Sequence, residues 1–118
     1  MYVLATKLAD LPVMSLQTGR AVATVNRPII NQANLEAMAL QCDVGGRRTR
    51  PSALLMRDIR QFANDCIIID SQDEIEEIGE IVRLHTIAKA GFDPIGKQVV
   101  NESGTKLGRV EDYTVNLK

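Results

Sequence analysis

Residues 95–115 read IGKQVVNESGTKLGRVEDYTV. Val99 and Val100 lie in a short β-branched run from Gln98 to Asn101, Glu102-Ser103-Gly104 reads as a turn, and Leu107 to Leu117 continues with strand character. Glycine suits the turn because it takes positive φ without steric cost. The same layout stands near the start of the chain. Val13 to Leu16 leads to a turn at Gln17-Thr18-Gly19, and Ala21 to Val25 follows. A shift of 85 residues places Gly19 on Gly104, Val25 on Val110, Ile30 on Val115 and Asn31 on Asn116. Upstream, LPVMSLQTG aligns with IGKQVVNESG once one gap is allowed. The shared turn position and apolar phase predict an internal repeat.

Between the two copies lie further strand signals. Arg27-Pro28 predicts a bend, because proline cannot donate into a central ladder. NLEAMALQCDV alternates, with Met38, Leu40 and Cys42 on one face. Gly45-Gly46 with RRTR predicts a hairpin loop, and Ala53 to Met56 the returning strand. DIRQFAND predicts a single helical turn or a 3₁₀ segment, and CIIID a buried strand. The tract SQDEIEEIGEIVRLHTIAKAG has helix marks: Ser71 and Glu74 as a capping box, early acids, Lys89 in the last turn and Gly91 as terminator. Ile75, Ile78, Ile81 and Val82 form its stripe, with Gly79 costing about 1 kcal/mol against alanine. One helix, or a loop and a shorter helix, both satisfy the pattern.

The bulk numbers bound the function. The chain has 118 residues, the length of one ordinary domain. Its 45% hydrophobic content is aliphatic, with two Phe, two Tyr and no Trp. Stacking platforms for single-stranded nucleic acid need rings this chain lacks. A net charge of −1 gives no global attraction to nucleic acid or an anionic membrane. Cys42 and Cys66 lie far apart in apolar stretches and read as reduced core residues. The start lacks the features of a signal peptide, and no run reaches the ~20 apolar residues of a membrane span. These features predict a cytoplasmic protein with no membrane span.

The motif in 95–115 resembles the opening of the PRC-barrel family: a "GK-x-V-V" strand, a glycine turn, then "L-G-x-V" running into acids. The matching residues are Gly96, Lys97, Val99, Val100, Gly104, Leu107, Gly108, Val110, Glu111 and Asp112. Val13, Ser15, Gly19, Val22 and Val25 fit the pattern less literally, and Asp58, Ile59 and Asp65 fit a later family stretch. The resemblance implies a mainly β fold, a small, strongly bent antiparallel barrel with one short helix or helical turn. It divides the chain into a first barrel-like unit at 1–72, a helical connector at 73–91 and the opening hairpin of a second unit at 92–118. It also implies a tandem arrangement that holds other macromolecules and is not an enzyme.

The chemistry-bearing residues agree with that implication. His85 is the only histidine, which leaves no second imidazole for a triad or a metal cluster. One His with two dispersed Cys argues against zinc, and no cofactor or metal is expected. Glycines 19, 104 and 108 read as turn and close-approach residues; Gly104 to Gly108 lacks the lysine and hydroxyl of a phosphate loop. The acids Asp70, Asp73, Glu74, Glu76, Glu77 and Glu80 read as a solvated helix start, with an acidic docking patch as the other reading. Arg47, Arg48 and Arg50 are the contact candidates, since guanidiniums grip phosphate or carboxylate bidentately.

Two functions compete. The first is a non-enzymatic protein-interaction or scaffolding module, self-associating as a homodimer by strand exchange through the C-terminal hairpin, with Val110 and Val115 at the contact. The alternative is an RNA- or ribosome-associated factor holding phosphate through Arg47, Arg48 and Arg50. Nucleic acid is the less favoured partner, given the neutral charge and few aromatics. Converging carboxylates such as Asp58 with Asp65 would point to an enzyme instead.

Overall fold

The structure is a computed structural model, and it describes residues 2–44, 51–63 and 65–117. In chain order it contains β1 (Tyr2–Leu4), α1 (Ala5–Leu8), β2 (Pro12–Ser15), β3 (Ala21–Asn31) and β4 (Glu36–Asp43). There follow β5 (Ser52–Leu55), β6 (Gln61–Ala63), β7 (Cys66–Ile69), β8 (Ile75–Glu77), α2 (Val82–Ala90), β9 (Gln98–Val100), β10 (Lys106–Arg109) and β11 (Thr114–Asn116). Short 3₁₀ turns cover Met56–Asp58, Gln72–Glu74 and Ile78–Glu80.

Seven strands form one sheet in the order β6-β7-β2-β3-β4-β5-β8. Its end strands β6 and β8 do not pair with each other, so the sheet is open where a closed barrel was expected. It is also not wholly antiparallel, because β2 and β7 run parallel. A long connection makes this possible, whereas a tight hairpin would force antiparallel pairing.

β3 runs straight through Pro28, the expected bend, as an 11-residue strand. β2 covers β3 only as far as Thr24, so beyond it one edge of β3 carries no strand, and proline is tolerated there. The curvature comes instead from irregularities between Val25 and Arg27 and between Ile29 and Ile30. At the second of these, Ala39 and Ala37 pair with successive β3 residues and Met38 is the extra one. Met38 therefore leaves the face of Leu40 and Cys42, on which the alternation had placed it, and packs on the second core cluster.

Neighbouring residues along β4 and β5 point to opposite faces. Leu40, Cys42 and Leu54 join Leu8, Val13, Val25, Ile67 and Ile69 in the main cluster. Ala39 and Ala53 join Ile29, Ile78 and Leu84 in a second one, against which α2 lies. Both cysteines are free. Burial, then the charge of Asp43, pushes the Cys42 thiol up to about 12, so it is a protonated core group at neutral pH.

The tract from 71 to 91 divides in two. Ser71 accepts from the Asp73 N–H and starts a 3₁₀ turn, not an α-helix. Ile75–Glu77 then pairs with β5 as the sheet's last strand, so the expected connector supplies part of the sheet. Only Val82–Ala90 is α-helical, ending at Gly91 with φ +62°. The expected helical turn after Arg57 also moves: Met56–Asp58 is the 3₁₀ turn, and Gln61–Ala63 is a strand on β7. The predicted strand at CIIID is β7, with Ile67 and Ile69 fully buried.

Candidate functional site

The hairpin β9–β10 is a two-stranded sheet by itself, pairing Gln98 with Arg109, Val99 with Gly108 and Val100 with Lys106. Among the described residues no third strand pairs with either edge. The β2–β3 hairpin has a matching register: Pro12 with Thr24, Val13 with Ala23 and Met14 with Ala21. Both ladders break at the same place, skipping Leu107 in one and Val22 in the other.

The turns and flanks make matching hydrogen bonds. The Ser15 N–H donates to Arg20 O at 3.0 Å, and the Asn101 N–H to Thr105 O at 3.0 Å. The Gly19 N–H reaches Ser15 O at 2.8 Å, and the Gly104 N–H reaches Asn101 O at 3.0 Å. Asp10 donates to Val25 O, and Gly96 to Val110 O, both at 2.8 Å. Val25 returns a bond to Leu11 O, as Val110 does to Lys97 O. Backbone angles agree as well: φ is +68° at Asp10 and +84° at Gly96, +68° at Gly19 and +81° at Gly104.

What covers the two hairpins differs. Val13 and Val25 are closed off in the main cluster, whereas Val99, Val100 and Leu107 are 40%, 53% and 64% exposed. β9–β10 thus leaves aliphatic side chains exposed, with Lys97, Lys106 and Arg109 the cations and Glu102 the one acid across 95–110.

The hairpin is tied to the body through the chain beyond it. β11 pairs antiparallel with β1, setting Val3 opposite Val115 and Leu4 opposite Thr114. Val115 and Leu117 enter the main core cluster. The Ala5 N–H donates to Tyr113 O at 2.8 Å. The Asp112 carboxylate accepts from the Thr6 N–H at 3.3 Å and from the Thr6 hydroxyl, and also from the Tyr113 N–H at 2.8 Å. An α-helix begins with orphan N–H groups, and this carboxylate caps α1 from the far end of the chain. The Thr6 hydroxyl, followed by backbone N–H donors, holds the Asp112 pKa below the usual carboxylate value.

The sequence-derived candidates therefore separate. Gly19, Gly104 and Gly108 all have positive φ and are turn or bulge residues, with no atom close to where a Cβ would sit. Val110 is half-buried, and its backbone joins Gly96 and Lys97. Val115 is 3% exposed within its own chain's core, which removes it from the surface that a folded second copy could touch. Within strands β9 and β10 the exposed apolar positions are Val99, Val100 and Leu107. Arg47, Arg48, Arg50 and the Gly45-Gly46 loop lie outside the described residues.

His85 lines an open cleft of about 730 Å³ with Arg27, Gln41, Glu77, Glu80 and Lys89. The acidic run does not form a helix start. Burial, with the charges of Asp58 and Asp70 adding to it, raises the Glu74 pKa, while Asp65 is exposed and takes no part in that shift. Among the described residues no three His, Cys, Asp or Glu side chains are grouped to hold a metal ion. Among them, too, no helix is long and apolar enough to cross a membrane.

The family model of the PRC-barrel domain matches residues 88–118, a span that contains the whole 95–115 motif, β9, β10 and β11. None of the curated proteins compared matches the chain.

Proposed function

We propose, from the PRC-barrel match over 88–118, that this protein is a non-enzymatic interaction module that binds other polypeptides through the β9–β10 hairpin. One observation carries the reading. Two hairpins with the same register and turn bonds sit in one chain, and among the described residues only the second leaves its edges unpaired and its aliphatic side chains exposed. An isolated hairpin is marginal in water, and unpaired edge groups take up a strand readily. The matched bonds also support reading 94–116 as a repeat of 8–31, with the arrangement tandem in origin.

Self-association is the form of this reading to test first. Because β11 enters the core through pairing with β1, a homodimer can arise by exchange of β11 between copies, or by contact of two hairpins through Val99, Val100 and Leu107. Light scattering across a concentration series measures it. A mass that rises towards the dimer, and falls back in Leu107→Asp, fits hairpin contact. A dimer that survives Leu107→Asp but falls apart when β1 is deleted fits exchange of β11. A monomer at every concentration removes self-association and leaves a different polypeptide as the partner.

A further inference from the structure

We infer that the outer edge of β9 takes up a β-branched strand preceded by an acid, from another polypeptide, running parallel to β9 and pairing with Val99, Val100 and Asn101. This rests on the interaction-module reading and specifies its partner.

The matched hairpin shows what such an edge accepts. The outer edge of β2 is occupied by β7 in parallel, with Val13, Met14 and Ser15 opposite Ile67, Ile68 and Ile69. Beyond the strand, the Leu16 N–H donates to Ile69 O at 2.9 Å and the Gln17 N–H to Asp70 O at 3.0 Å. Matching the two registers carries Val13, Met14, Ser15 and Leu16 onto Val99, Val100, Asn101 and Glu102.

The donors of β9 point the right way. The Asn101 N–H is turned inward to Thr105 O, so the alternation of an antiparallel ladder turns Val100 outward. Among the described residues the Glu102 N–H has no acceptor, and it stands where Leu16 donates to β7. One bond of the precedent is missing: Ser103, the counterpart of Gln17, gives its N–H to Asn101 Oδ1 at 3.0 Å. The incoming strand is thus held by a slightly shorter ladder than β7.

Side chains set the chemistry of the occupant. Val99 and Val100 point to opposite faces and are both part-exposed, which favours β-branched aliphatic neighbours on each face. In this register Lys97 stands beside the start of the incoming strand and attracts an acid there, whereas Glu102 stands beside its end and disfavours one. In this chain, residues 65–71, DCIIIDS, carry β7 with an acid at each end. They serve as the probe.

The test titrates a capped peptide of residues 65–71, carrying Cys66→Ser to prevent oxidation and Asp70→Asn to remove the like charge beside Glu102, into the full-length ¹⁵N-labelled chain. Saturable amide shifts at Gln98–Ser103 are expected. A nitroxide on the peptide's N-terminus should broaden Gln98, and one on its C-terminus Glu102 and Ser103. N-methylation of the peptide backbone at Ile69, whose polar groups face β2 in the precedent, should weaken binding at least tenfold without altering the protein, and Val100→Pro should do so from the protein side. The reversed nitroxide pattern, shifts centred elsewhere, or equal binding by the N-methyl peptide would each overturn the inference. If the peptide fails to bind while Leu107→Asp still dissociates a dimer, this inference falls and the interaction-module reading stands. If the peptide does not bind and the chain also stays monomeric, this inference and self-association both fall.

Discussion

Hairpin β2–β3 has β7 on one edge, β4 on the other and the main core cluster beneath it; hairpin β9–β10 has the same turn bonds and none of these neighbours. The comparison separates two causes that are usually fused. Glycine turns, positive-φ residues and ladder bonds are set locally, and they recur wherever the local sequence recurs. Burial is set by what other parts of the chain bring, and it does not recur. A shared pattern of hydrogen bonds therefore says how a segment folds but not what it costs to disturb it.

Substitutions can break that comparison at successive depths. The deepest is Ile67→Ala, which empties the place opposite Val13 and should cost about 2–5 kcal/mol in urea unfolding. Next comes Val115→Ala, which removes two methyl groups from the site where the C-terminal strand meets the core. A loss of about 2 kcal/mol is expected, read from the same unfolding curves.

Gly19→Ala and Gly104→Ala test the local half of the argument. Neither added Cβ meets an atom, so the cost is the backbone's own, about 1–2 kcal/mol at each. The two costs should surface differently. Gly19→Ala lowers global stability, while Gly104→Ala speeds hydrogen exchange at Asn101 and Val110, because the open hairpin can unfold locally. Equal effects on global unfolding would show that β9–β10 is as firmly embedded as β2–β3.

Asp112→Asn reads as a change in pH dependence. The native carboxyl titrates below its unfolded value, so its contribution is present above the unfolded pKa and is lost as pH falls through the folded one. The variant should flatten that acid-side loss in a series of thermal melts. An unchanged slope would mean that the Thr6 contact contributes nothing to stability. The smallest effect belongs to Leu107→Ser, expected to shift stability by within about 0.5 kcal/mol because the side chain is largely in solvent. A larger loss in a concentration-independent unfolding curve would show that the hairpin face is covered after all.

The local half of the molecule was legible from sequence. The hairpins at Gly19 and Gly104, the β7 run and the Gly91 helix terminus all lie within a few residues of the signals that produce them. The non-local half was not. Tyr2–Leu4 is three residues with no pattern of its own, and it becomes a strand only because Thr114–Asn116 lies beside it. Ile75–Glu77 carries helix-start acids yet pairs with β5, since a sheet edge outweighs weak propensity. Met38 kept the alternation in sequence and lost it to one extra residue in the ladder. At the candidate site, the exposed positions Val99, Val100 and Leu107 were within reach, because they lie in the family motif itself. That Val115 lies opposite Val3 could not be read there, because only β1, from far along the chain, sets that pairing.

The β1–β11 pairing has a consequence for how the protein is made. Tyr2–Leu4 leaves the ribosome before the whole seven-stranded sheet, and its partner Thr114–Asn116 only after it. Closing a loop of nearly the whole chain costs about 4 kcal/mol of entropy, so this pair has little reason to form before the sheet between them exists. β1, made before the sheet, therefore settles after it, and until then its own unpaired edge is open to chaperones and to neighbouring nascent chains.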